Sequence, residues 1–243
     1  WVDKDWDPES RSGKAFKQIH LADYLASASD RGAIGAISQS LNYSEQGLEV
    51  YHLLSAARLK FQLKSDVHQK LLEPGRGEFL NGLEDTLLPE FIRTATDAKQ
   101  VFWWLWRCLP EASCQALAKD PQILLAPAET RIPDSSIWSH TSLTAALAGA
   151  LAGYDLTSDE LQQWPNKQEL SHAYLAAFSF TPVQELIKAS RKIRDFWAGS
   201  WLLHYLSAKV SWTLAQKYGP DSLLYPSLFQ QPLIDHWLRD QWP

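Results

Sequence analysis

The sequence predicts a predominantly helical α+β protein. Three observations carry that prediction. Residues 182–207 keep a helical hydrophobic period, in a helix expected to run to 217 with an interruption at Gly199 as an option. Residues 83–118 and 135–153 are two further helical stretches punctuated by proline and glycine. Short apolar runs at 172–181 and 222–227 flank the long helix and read as strands. Strand, helix, strand is the opening of an α+β sandwich. Two strands do not make an independently stable sheet, so the pattern predicts that the polypeptide continues. The 243 residues include 12 Trp and no Met, not even an initiator, which predicts the same.

Bulk composition narrows the class. Hydrophobic residues make up 45% and charged residues 21%, which is globular. A formal net charge of −5 argues against non-specific nucleic-acid binding by the whole surface but leaves room for a local basic patch. No apolar run has membrane-spanning length, and the N-terminal WVDKDWDPE lacks a secretory core. The expected setting is cytoplasmic, with no membrane partner. Cys108 and Cys114 fit no common zinc spacing and read as two reduced thiols.

Taken in order, residues 1–13 are a polar lead-in. Residues 14–31 have helical periodicity, with Phe16, Ile19, His20, Asp23, Tyr24 and Ser27 on one mixed face. Gly32 and Gly35 stop that helix. Residues 33–50 are ambiguous, and 51–64 fit helix or strand. EPGRGEFLNG at 73–82 is a turn or loop. The region 83–118 is helical, with breaks expected near Pro89 and Pro110. Its segment VFWWLWRCL is too apolar to face solvent. Pro121, Pro127 and Pro133 make 120–134 an extended connector. Ser135 or Ser136 starts a helix to about Gly153, whose small residues TAALAGALAG permit close approach, although Gly149 costs intrinsic stability. A polar loop covers 155–169. Gly219-Pro220-Asp221 ends the long helix. Pro232 opens a last helix to 241, with Leu233, Trp237 and Leu238 inward.

The most informative stretch is PVQELIKASRKIRDFWAGSWLLHYLS, 182–207. On a helical wheel Glu185, Lys188, Arg191, Lys192 and Asp195 share one arc. Val183, Leu186, Ile187, Ile193, Trp197 and Trp201 share the other. Ser190 and Arg194 break the rule by lying within the apolar stripe. A buried guanidinium needs an acceptor or an anion. Arg194 therefore either packs on a carboxylate or meets a ligand. Gly199 either interrupts the helix so that Ser200 caps a second one, lets backbone N–H groups approach a phosphate, or simply accommodates packing of Trp197. His20 and Asp23, three residues apart on one helix face, either share a metal or form a structural hydrogen-bonded pair. The aromatics Phe102, Trp103, Trp104 and Trp106 belong to a core or to an interface with a neighbouring subunit. His140 is assigned no chemistry.

Several of these motifs together resemble a known family. The segment 182–207, its continuation KYGPDSLLYPSLFQQPLIDHWL at 217–238, LLAPAETRIPDSSIWSHTSLTAALAGAL at 124–151 and LWRCLPE at 105–111 occur in the order found in one protein type. That type is the large, polymerase-like subunit of type III CRISPR–Cas effector complexes, Cmr form. IHLADYLASASDR at 19–31 is similar to the end of the HD-type phosphohydrolase domain of that family, where Asp23 would fall on a metal ligand. No His-Asp pair precedes it here, so the HD site is incomplete.

The resemblance implies three parts: an HD-domain remnant and linker at 1–82, a helical connector at 83–170, and an incomplete first palm domain of ferredoxin-like type at 171–243. It implies a parent that uses ATP and Mg²⁺ to make cyclic oligoadenylates. Its partners would be the other subunits of the effector complex, guide RNA, target RNA and the rest of its own polypeptide. Ser190, Arg194 and Ser200 would form one wall of an ATP pocket. The Gly-Gly-Asp-Asp carboxylates that hold Mg²⁺ in the second palm are absent from this sequence, so the segment itself is expected to be catalytically silent. The alternatives are an inert helical interaction module and a nucleotide-binding regulator unrelated to CRISPR.

Overall fold

The polypeptide builds its core from tryptophans brought together by two helices far apart in sequence. The computed structural model describes residues 11–31, 47–52, 54–62, 76–117, 120–128, 135–152, 174–181 and 183–242. Its elements, in chain order, are α1 (Arg11–Arg31), β1 (Leu48–Tyr51), β2 (Arg58–Phe61), α2 (Arg76–Leu87), α3 (Glu90–Arg93), α4 (Ala98–Ala116), α5 (Ile137–Ala150), α6 (Val183–Lys188), α7 (Ile193–Tyr218) and α8 (Pro232–Gln241). Short 3₁₀ turns lie at Pro121–Leu125 and Pro220–Ser222. Among the described residues this is a predominantly helical α+β chain with one antiparallel strand pair, in which Leu48 pairs with Phe61 and Tyr51 with Arg58.

The helix starts follow local chemistry. Asp97 caps α4 by accepting from the Lys99 N–H at 2.9 Å, and Ser136 caps α5 by accepting from the Ser139 N–H at 3.2 Å. The break expected near Pro89 is present, between α2 and α3. The one expected near Pro110 is not. Helix α4 runs through Pro110, although an internal proline removes one ladder bond. Burial of Trp103 before it and of Ser113 and Cys114 after it offsets that loss.

Trp103 of α4 lies at the centre of the core, only 2% exposed, with Ala215 of α7, Leu228 and Ile234 of α8 around it. Trp212 lies 5.4 Å from it by ring centroids, and Trp106 meets it edge-on at 5.9 Å. Trp106 and Trp138 also satisfy their indole N–H groups. Trp106 donates to Ser142 Oγ at 3.2 Å and Trp138 to the Ile123 carbonyl at 3.0 Å. These bonds fasten α5 to α4 and to the turn at 121–125. Leu21, Ala22 and Ala26 of α1 are buried, and α1 packs on α5.

Two expected strands are not strands. Residues 174–181 form irregular, exposed chain, with Tyr174, Leu175 and Phe178 open to solvent; residues 172 and 173 lie outside the described residues. An extended segment becomes a strand only when a neighbour takes its backbone bonds, and no described segment pairs with this one. SLLYPS at 222–227 begins in a 3₁₀ turn and continues irregularly. Pro226 cannot donate to a ladder.

The long helix is also divided differently from the expectation. It breaks at 189–192, between α6 and α7, and not at Gly199. An unbroken helix would stack Lys188 over Lys192 and Arg191 beside Arg194, and like charges at those spacings repel. Lys192 instead takes extended backbone angles, φ −129° and ψ 151°.

Helix α7 ends as expected at Gly219, whose φ of +98° favours glycine. A Cβ there would overlap Asp221 Oδ1 and approach Phe102 to 3.5 Å. Gly219→Ala is expected to lower stability by about 2 kcal/mol, combining left-handed backbone strain with the clash. Thermal unfolding of the variant checks this. An unchanged midpoint would contradict the geometry.

Candidate functional site

Ser190, Arg194 and Ser200 are divided between a turn and a helix. Ser190 is half-buried in the turn after α6. Arg194 is the second residue of α7, and its side chain is 85% exposed. Among the described residues it pairs only with the adjacent Asp195 at 3.9 Å, a loose surface pair worth little. The buried-carboxylate alternative for Arg194 therefore finds no support among the described residues. Ser200 lies inside α7, half-buried, and does not cap a helix. Six residues along a helix turn Ser200 roughly 120° away from Arg194. Arg194 and Ser200 do not share one face of α7.

What α7 does place on one face is Arg194, Trp197 and Trp201, at spacings of three and four. Trp197 is 67% exposed and Trp201 57%. The apolar stripe read from the sequence is real, but its first half points outward. Around the start of α7 stand the exposed Lys188, Arg191, Lys192 and Arg194. The helix has no side-chain cap at Lys192, and the Asp195 N–H of its first turn donates to the Lys192 carbonyl at 2.9 Å. Its first turn also carries Asp195.

Asp23 stands on α1 and hydrogen-bonds His140 of α5, with Nε2 2.8 Å from Oδ1. The intrahelical partner expected from sequence, His20, is exposed. His140, to which sequence reasoning gave no chemistry, is thus the residue that orients Asp23 and helps join α1 to α5. No spacing signal announces a pair 117 positions apart. Among the described residues no three His, Cys, Asp or Glu side chains cluster closely enough to hold a metal. Asp23 with His140 alone does not make an HD metal centre.

A second polar group that the sequence did not announce sits against the core. Arg107 of α4 donates from Nε and Nη2 to both carboxylate oxygens of Asp235 on α8, each at 2.7 Å. Glu111 lies 3.2 Å from the same guanidinium, and the Phe229 ring lies 5.1 Å from its centre. Hydrogen bonding to Asp235 holds the guanidinium firmly protonated, against the opposing effect of burial. Both cysteines are free thiols, and desolvation pushes both up, which makes them poor nucleophiles. No helix among the described residues is long and apolar enough to cross a membrane.

Comparison with known proteins bears out the resemblance read from the motifs. Residues 175–243 match the family model described as CRISPR-associated protein Cmr2, N-terminal. The CRISPR system Cmr subunit Cmr2 of Pyrococcus furiosus is 36% identical over 108 residues, 44% of this chain and 10% of that protein. The CRISPR system CMR subunit Cmr2 of Saccharolobus solfataricus is 31% identical over 102 residues, 42% of this chain and 8% of that protein. The aligned region is thus about a tenth of the length of either relative. No solved structure matches.

Proposed function

We propose that this chain is part of the large subunit of a type III CRISPR RNA-guided interference complex. In that reading it contributes one wall of the ATP pocket used for cyclic oligoadenylate signalling and helps scaffold the complex. The likeness of residues 175–243 to the N-terminal region of Cmr2 carries the reading. Its partners would be the other subunits, guide RNA, target RNA and the remainder of the polypeptide. Mg²⁺ would be held by carboxylates elsewhere in the assembly.

The exposed start of α7 supports the nucleotide part. Among the described residues Arg194 has only the loose pair with Asp195, Arg191 and Lys192 stand beside it, and the helix start carries no side-chain cap. Anions favour such a place because N–H groups and the helix dipole both face them. Ser200 would reach the same ligand only from a different side of α7 than Arg194. The Asp23–His140 pair would serve to join α1 and α5 rather than to bind metal.

ATP titration of the assembled complex tests the assignment. Arg194→Ala is expected to weaken ATP binding about tenfold, the loss of one charge-assisted hydrogen bond. Unchanged affinity would remove Arg194 from the pocket. A second reading, an inert interaction module, is favoured by the exposed Ile193, Trp197 and Trp201. Under it, Trp197→Asp would abolish assembly while Arg194→Ala left ATP affinity unchanged.

A further inference from the structure

The turn between α6 and α7 gathers positive charge beside an uncovered apolar stripe. Lys188, Arg191, Lys192 and Arg194 fall within seven residues, and all four are exposed. Two carboxylates stand near them in sequence, Glu185 on α6 and Asp195 in the first turn of α7. Four cations against two carboxylates leave a local balance of +2, while the whole chain carries −5. Among the described residues no carboxylate pairs with Lys188, Arg191 or Lys192, and Asp195 meets Arg194 only loosely. The cluster is unfavourable as it stands. Like charges at these spacings repel, and the start of a helix favours anions over cations.

The stripe begins where the cluster ends. Ile193 is 78% exposed, and Trp197 and Trp201 follow it at spacings of four along one side of α7. Both indoles already have ring neighbours: Phe196 meets Trp197 edge-on at 6.4 Å, and Tyr205 stacks on Trp201 at 5.3 Å. Rings held in this way lose little side-chain freedom when a partner arrives. A single nucleic-acid strand would offer phosphates to the cations and bases to the indoles. It would leave Ile193, which lies between them, without an apolar cover, and its phosphates would be repelled by Asp195 and Glu185. A polypeptide meets all of these demands. Its apolar side chains remove Ile193 and the indoles from water, and its own carboxylates answer the cations. An aromatic, apolar centre with a charged rim is the ordinary anatomy of a protein interface. The spacing of four on α7 matches the ridges of a second helix.

We propose that this side of α7 docks an acidic amphipathic helix of a neighbouring subunit. The apolar stripe of that helix covers Ile193, Trp197 and Trp201, and its carboxylates meet Lys188, Arg191 and Lys192. The proposal rests on the scaffolding part of the reading above and specifies the chemistry of the partner.

Titration of the fluorescently labelled chain into the remaining subunits of the complex, followed by carbodiimide coupling, tests this. Carbodiimide joins an amine directly to a carboxylate in contact with it. Lys188 or Lys192 is expected to be joined to Asp or Glu of another subunit, in a segment whose apolar residues recur at three and four. Arg191→Glu combined with Lys192→Glu is expected to weaken assembly at least about tenfold. Both positions are exposed, so the fold is kept, and an unchanged thermal midpoint checks that. Raising salt from about 0.05 M to about 0.5 M is expected to weaken wild-type assembly at least about fivefold. Assembly that Trp197→Asp abolishes but charge reversal and salt leave intact would overturn the acidic partner and leave the scaffolding reading standing. A wild-type chain that does not assemble at all would overturn both. The proposal also fails if neither lysine is coupled to another subunit, if coupling reaches only carboxylates of its own polypeptide, or if ultraviolet light cross-links Trp197 to RNA.

Discussion

Arg107→Ala is expected to destabilise the fold by about 3 kcal/mol, measured as a shift in the urea midpoint at constant slope. The guanidinium bridges α4 and α8 across 128 positions and makes both of its bonds to Asp235 at 2.7 Å. Each side chain of the pair is only 15% exposed, so solvent screens the pair little. Removing the arginine leaves a largely desolvated carboxylate with no cation, which costs more than the pair itself is worth. Total domain stability is typically about 5–15 kcal/mol, so the loss is a large share. Arg107→Lys is expected to recover little, because an ammonium cannot span both oxygens as a planar fork does. The double replacement Arg107→Leu with Asp235→Leu is expected to be far milder than either single change, since it removes both charges together. Arg107 is held protonated well above its ordinary range. A raised folded value contributes stability below the unfolded one and loses it only on rising through the folded one. No pH dependence from this arginine is therefore expected near neutrality. A loss below about 0.5 kcal/mol would show the bond to be a surface pair.

The legibility of this pair in the sequence was partial, and the reason is physical. LWRCLPE and PLIDHWL were both visible as motifs, and the inward turn of Trp237 and Leu238 on α8 was readable from helical spacing. Nothing in a period of 3.6 says that two motifs 128 positions apart meet through one charge pair. The same limit explains Asp23: its helix and face were readable, but its partner on α5 was not. Local signals fared best where chemistry is local, as at Ser136, which caps α5, at Pro89, which separates α2 from α3, and at Gly219, which ends α7. They failed where the outcome depends on a neighbour. The apolar segments at 174–181 and 222–227 have strand composition, but no pairing edge among the described residues makes them strands. Arg194 shares a stripe with Trp197 and Trp201, which predicts a carboxylate or a ligand as its partner, yet the stripe itself lies open. A period reports which residues share a face; it does not report whether that face is covered.

Trp103→Ala and Trp197→Ala separate those two meanings of an apolar stripe. Both tryptophans occupy apolar helix faces, so periodicity alone ranks them together. Trp103 is 2% exposed and touches Trp106, Trp212 and Trp242, whereas Trp197 is 67% exposed. Burying a tryptophan removes about 200 Å² from water, worth about 5 kcal/mol on transfer alone. Its truncation in the core adds a cavity that close-packed neighbours cannot fully close. Trp103→Ala is therefore expected to cost about 4 kcal/mol and to collapse the near-ultraviolet dichroism of the surrounding indoles. Trp103→Phe is expected to retain most of the stability, because it keeps the aromatic volume in contact with Trp212. Trp197→Ala is expected to change stability by less than about 0.5 kcal/mol in the chain alone. If the outward face of α7 is covered in the assembled complex, the same substitution is expected to weaken assembly, since large aromatics at the centre of an interface carry most of its energy. Thermal unfolding of the chain and co-purification of the complex read the two effects separately. A large stability loss from Trp197→Ala in the isolated chain would mean that its face is already covered.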